Sequence, residues 1–259
     1  MLLCRFGSEG LLAAGPSLAQ LRVLFSDPFE TPLSQWQFGR TVDLEQGEAL
    51  RAPLVPGKIV CVGRNYRDHA AELGNPLPSE PLLFLKAPSA LLAPGADVVL
   101  PRQSAQVEYE GELALVIGRR ASHVRAADAL SHVLGYTCLD DVSARDIQKR
   151  EKVYARAKGF DTFCPVGPWL ETEVADPQAL TIELRVNGTP RQRGSTSDQI
   201  FPVAEVIAFI SEIMTLSPGD LITTGTPPGV GPLAAGDRVE IEIAGIGTLR
   251  HGVVAPPPA

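Results

Sequence analysis

Glu108-Tyr-Glu-Gly-Glu-Leu-Ala-Leu-Val-Ile-Gly118 is the most informative stretch of this 259-residue chain. Its second half is an apolar run suited to a buried strand, and its first half carries Glu108, Glu110 and Glu112 at every second position. The pattern predicts one strand over 108–118, and side chains two apart on a strand share a face. Carboxylates on one face of an apolar strand repel each other and resist burial unless a cation lies between them. Asp141 follows a second apolar run, Gly135–Leu139, stands beside Asp140, and could supply a third oxygen. Oxygen donors in a chain with only four histidines suit Mg²⁺, Mn²⁺ or Ca²⁺ rather than zinc. The same spacing also fits a solvated acidic strand edge that holds no ion.

Working outward, Met1–Phe6 and Leu18–Phe25 read as strands of a small N-terminal β subdomain, residues 1–56. It is closed by the turn-rich segment Ala52–Gly57. The remaining residues, 57–259, read as one catalytic domain. Lys58–Gly63 and Leu82–Leu85 are apolar strands. Between them Asn65 is placed to cap a short helix, Arg67–Leu73, that Gly74 ends, and a proline-rich loop follows. Ala126–Leu134, Ala144–Arg156 and Val203–Leu216 have helical spacing. Thr181–Asn187 alternates apolar and polar residues before a hairpin signal, Asn187-Gly188. Asp220–Thr224 and Arg238–Ile243 complete the strands. Long helices do not alternate regularly with strands, so a doubly wound or (β/α)8 plan is disfavoured and the expected class is mixed, β-rich α+β.

Composition narrows the function. The net charge is −7 with no basic run, which disfavours nucleic acid as a partner. No apolar run is long enough for a membrane span, and no secretory leader is legible. Cys4, Cys61, Cys138 and Cys164 are widely spaced, which suits reduced thiols and a cytoplasmic setting. There is no GxSxG elbow and no GxGxxG fingerprint, so serine hydrolysis and nicotinamide binding lack support.

Other residues carry possible chemistry. His69 and Glu72 are three apart on the short helix and share a face, so the carboxylate can orient the imidazole as a general base. The alternative is an exposed surface pair. Lys158 could balance enolate charge or simply be solvated. Thr223–Gly231 (TTGTPPGVG) offers close backbone approach and the Thr226 hydroxyl, or is only a tight turn.

Seven motifs in order resemble the fumarylacetoacetate hydrolase family: VGRNYRDHAAELG (62–74), EPLLFLKAPSAL (80–91), EYEGELALVIGR (108–119), GYTCLDDVSARDIQ (135–148), AKGFDTFCPVGPW (157–169), RVNGTPRQRGSTSDQIF (185–201) and LITTGTPPGVGPLAAGD (221–237). The resemblance implies a β-roll core, a homodimer and a metal, usually Mg²⁺ or Mn²⁺, held by Glu110, Glu112 and Asp141. It implies that His69 and Glu72 are a catalytic pair on a lid and that Lys158 stands beside the metal. It places Arg64, Arg145, Gln148 and Thr226 around the carboxylate of a small 2-oxo acid. Asp140 departs from the family pattern, where Asn or an apolar residue is frequent. The implied function is a metal-dependent enzyme working through an enolate, most of all an isomerase or decarboxylase of the 2-hydroxyhepta-2,4-diene-1,7-dioate type from aromatic-acid breakdown. The alternatives are acylpyruvate C–C hydrolysis, oxaloacetate decarboxylation or, in another class, a non-catalytic metal-stabilised binding protein.

Overall fold

The computed structural model describes residues 1–45, 49–72 and 77–257, with the side chains of 69–71 outside that description. Gly74, expected to end the first helix, and Asn75 in the following loop lie outside the described residues.

Strands dominate and helices are few, as the spacing implied. The largest sheet has twelve strands among the described residues. Its path runs from Phe38–Val42 through Leu21–Leu24, Leu11–Gly15 and Leu2–Phe6 to Cys164–Glu171. It continues through Val133–Asp140, Gly111–Ile117, Leu221–Thr223 and Ile59–Gly63 to Leu82–Lys86. The N-terminal strands thus extend the ladder from Cys164–Glu171, with Leu3 opposite Leu170. They also enclose a small apolar cluster of their own, including Cys4, Phe6, Leu21 and Val23. A five-stranded sheet containing Thr181–Val186, Arg238–Ile243 and Gly247–Val254 packs on the other. Its alternating burial follows the alternation of TIELRV and RVEIEI. Asn187 and Gly188 have φ of 53° and 76°, the left-handed pair of a tight hairpin.

Three local expectations are corrected. The strand expected over 108–118 is two strands, Val107–Tyr109 and Gly111–Ile117, that belong to different sheets. The chain changes sheets at Glu110, whose N–H donates to Asp140 Oδ1 (2.7 Å) while its carbonyl accepts from Asp141 N–H (2.9 Å). The helix expected over 144–156 is two helices, Arg145–Glu151 and Tyr154–Lys158. Lys152 ends the first in the left-handed conformation, φ 56°, with its N–H closing on Gln148 O. The redirected second helix packs on Leu82–Lys86 and brings Lys158 inward. Asn65 does not cap the first helix, Arg67–Glu72. Its amide oxygen accepts from Phe201 N–H, and its NH₂ donates to Phe201 O and Thr224 O. These long-range bonds satisfy the buried amide and anchor the start of the helix.

Candidate active site

Sheet register explains why distant residues meet. Partners in adjacent strands share a face. Ala114 pairs with Thr223, Thr223 with Cys61, and Cys61 with Phe84. Glu112 lies two residues before Ala114 and Lys86 two after Phe84, so Glu112, Thr223, Phe84 and Lys86 all face one way. The two helices after Asp141 cover this face and leave a cavity of about 420 Å³ over it.

Glu110, Glu112 and Asp141 converge at its base, with an oxygen from each within 4.8 Å of the others, and all three are buried. Lys158 Nζ spans two of them, 2.6 Å from Glu110 Oε2 and 2.6 Å from Asp141 Oδ2, with Asp141 O at 3.2 Å. All three ammonium protons are therefore committed. Lys86 Nζ lies 2.6 Å from Asp141 Oδ1 and 3.2 Å from Val142 O. Arg145 donates from Nε to Glu108 (2.6 Å), from Nη2 to Glu110 and from Nη1 to Gln148. The Glu112 carboxylate accepts Gly225 N–H at 2.8 Å.

Electrostatics follow from burial and crowding. Burial pushes the Glu112 carboxyl well above the ordinary range, and Asp141 and Glu110 push it further, against the opposing pull of Lys158. The side chains of Glu108, Glu110, Glu112 and Asp141 crowd against those of Lys86, Arg145 and Lys158, four acids to three bases. Burial alone would lower Lys158, but Asp141 and Glu110 outweigh it and hold the ammonium charged. The Arg145 guanidinium is held in the same way by Glu110 and Glu108. Burial also raises the Cys61 thiol, with Asp141 adding to it, and takes Cys164 up to about 12, so neither is a nucleophile.

These residues fit a hard divalent cation. The donors are carboxylate oxygens, three in number, which leaves further positions for water and a ligand. Thr223 Oγ1 is fully buried and finds no hydrogen-bond partner of ordinary geometry, although it neighbours Glu112 closely enough to favour that carboxylate's charged form.

The remaining sequence-predicted residues divide. Arg64, Gln148 and Thr226 line the same cavity as the acids. Arg64 has φ 57°, a strained conformation of the kind that concentrates at binding sites. Thr226 Oγ1 donates to Gly111 O and accepts from Gln192, so it offers a ligand a lone pair rather than a proton. Glu72 accepts Gly229 N–H at 3.1 and 3.2 Å, which joins the first helix to the turn following Thr226. The backbone of His69 belongs to that helix, while its side chain lies outside the described residues. Sequence reasoning gave no role to Lys86, Tyr154 or Phe84. Lys86 closes an apolar strand on the same face as Phe84, and that period-2 position was the available signal. Phe84 and Tyr154 stack edge to face at 5.0 Å, and Lys158 Nζ lies 5.2 Å from the Phe84 ring centre.

The family model described as fumarylacetoacetate (FAA) hydrolase, C-terminal, matches residues 58–254. The chain belongs to the fumarylacetoacetate hydrolase family. The solved structure of a 2-hydroxyhepta-2,4-diene-1,7-dioate isomerase from Mycobacterium marinum superposes with a TM-score of 0.89 and 42% identity over 100% of both chains. The mitochondrial oxaloacetate tautomerase FAHD2A of Bos taurus is 46% identical over 96% of this chain and 84% of its own. A 2,4-didehydro-3-deoxy-L-rhamnonate hydrolase from a Sphingomonas species is 50% identical over 77% of this chain and 73% of its own. Isomerases, tautomerases and hydrolases thus share this scaffold. No helix among the described residues is long and apolar enough to cross a membrane.

Proposed function

We propose that the protein is a divalent-metal-dependent isomerase of a dicarboxylic 2-oxo acid, of the 2-hydroxyhepta-2,4-diene-1,7-dioate type. The observation that carries this reading is the convergence of Glu110, Glu112 and Asp141 beneath a cation-lined cavity. A divalent cation bound there supplies a Lewis acid for the negative charge that builds up as an enolate forms. Mg²⁺ or Mn²⁺ suits the donors. A divalent cation held by Glu110, Glu112 and Asp141 would need the ionised form of Glu112 and would make the site attractive to an anionic substrate.

The chain's own residues then have assignable tasks. Arg145, fixed by Glu108, Glu110 and Gln148, presents a rigid guanidinium to the substrate carboxylate. Lys158 stabilises enolate charge from the wall beside Phe84. Arg64 and the exposed Lys149 and Lys152 rim the cavity and draw the second carboxylate of a dianion. His69, oriented by Glu72, takes a proton from one substrate atom and returns it to another, so the molecular formula is unchanged. The full-length match to an isomerase favours this outcome. Keto–enol conversion of oxaloacetate is the second reading, favoured by the 46% identity to an oxaloacetate tautomerase. A homodimer is part of the proposal.

The test is turnover of 2-hydroxyhepta-2,4-diene-1,7-dioate, oxaloacetate and acetylpyruvate with Mg²⁺, with Mn²⁺ and with EDTA, products being identified by NMR. Metal-dependent isomerisation without loss of carbon is expected. Release of CO₂ or of a carboxylic acid fragment would replace isomerisation with decarboxylation or C–C hydrolysis. Turnover unaffected by EDTA would remove the metal from the reading.

A further inference from the structure

Asp140 ends the strand Val133–Asp140 and Asp141 follows it, and their contacts show the two side chains turned to opposite sides. Asp141 faces the cavity. Asp140 faces the five-stranded sheet, where Oδ2 lies 2.9 Å from His251 Nε2, and both side chains are 0% exposed. His251 occupies the inward row of Gly247–Val254, between Leu249 and Val253. Its other ring nitrogen, Nδ1, lies 3.1 Å from Gly252 O. Both ring nitrogens are thus engaged, which fixes the plane of the buried imidazole against the Asp140 carboxyl.

The other oxygen of Asp140 accepts Glu110 N–H at 2.7 Å, and Asp141 N–H returns a bond to Glu110 O at 2.9 Å. The backbones of two proposed metal ligands are thus clamped together, with the carboxylate of Asp140 forming half of the clamp. Without its His251 partner the Asp140 carboxyl would be free to turn away from the Glu110 N–H and open the clamp.

We propose that His251 is a positioning residue: its hydrogen bond to Asp140 holds that carboxyl against the Glu110 backbone, which fixes Glu110 and Asp141 as ligands. The inference rests on the metal-site reading above. Carboxylate and carbonyl partners behind metal ligands set ligand orientation, and losing them typically weakens binding about 10–100-fold.

Mn²⁺ binding, followed by EPR of the free ion, tests it on the full chain. His251→Leu is expected to weaken Mn²⁺ binding about 10–100-fold. His251→Gln, which keeps a hydrogen-bonding group toward Asp140, is expected to stay within about threefold of the unmodified protein. Unchanged or tighter binding in His251→Leu, or a loss in His251→Gln equal to that in His251→Leu, overturns the inference while leaving the metal reading intact. Absence of Mn²⁺ binding by the unmodified protein overturns the metal reading, and this inference with it.

Discussion

Replacing Lys158 with Met removes a buried cation while nearly keeping its volume. Nζ contacts Glu110 and Asp141, each at 2.6 Å, and the residue is 2% exposed. At an effective dielectric constant of about 20, each contact is worth roughly 6 kcal/mol gross, and dehydrating each ion offsets several kcal/mol of that. Taking away one partner leaves the carboxylates buried and uncompensated, which costs about 3–5 kcal/mol. A chain of this size loses about 2–4 °C of Tm per kcal/mol, so the metal-free variant should melt roughly 6–20 °C lower. A divalent cation can replace the missing charge, so Mn²⁺ should raise the Tm of the variant more than that of the unmodified protein. Circular dichroism melts with EDTA and with Mn²⁺ measure both effects. Turnover should fall even with Mn²⁺ saturating, because the cation restores balance but not the lysine beside the enolate. A metal-free Tm within about 2 °C of the parent, or equal Mn²⁺ shifts in both proteins, would refute the charge pairing drawn for the cluster.

Two further outcomes follow from the same geometry. Glu112 is raised above its unfolded value of 4.5 chiefly by burial, so the stability its protonated form contributes is complete below pH 4.5 and declines as pH rises through the folded value. Cation binding must expel that proton, so Mn²⁺ affinity should rise with pH by up to about tenfold per unit until Glu112 ionises, with proton release seen by calorimetry in buffers of different ionisation enthalpy. Affinity that is flat with pH would argue against Glu112 as a ligand. Gly225→Ala should weaken Mn²⁺ binding and lower stability by about 1–3 kcal/mol. Gly225 has φ +91°, an added Cβ would lie 2.8 Å from Asn65 Cβ, and the Glu112 carboxylate would lose the Gly225 N–H. Unaltered denaturant midpoint and Mn²⁺ Kd would show that the turn yields without cost.

What the sequence determined by itself is local or carried by motif order. Continuous apolar runs at Ile59–Gly63 and Leu82–Leu85 and the alternation of Thr181–Val186 specified strands, because both patterns record how a strand is buried. The spacing at Glu110 and Glu112 and the acid at Asp141 named a cluster that the fold assembles. Other features depended on partners far along the chain. Nothing near Glu110 announces that the strand breaks there, because the cause is the Asp140 carboxylate. Asn65 reads as a helix cap until Phe201 and Thr224 claim its amide. Lys86 reads as the polar end of a strand until register places it against Asp141. The Asp140 departure became intelligible only through His251, 111 residues later. A buried charge is tolerated only with its counter-charge, and that pairing is set by how strands stack across the whole chain, which local spacing does not encode.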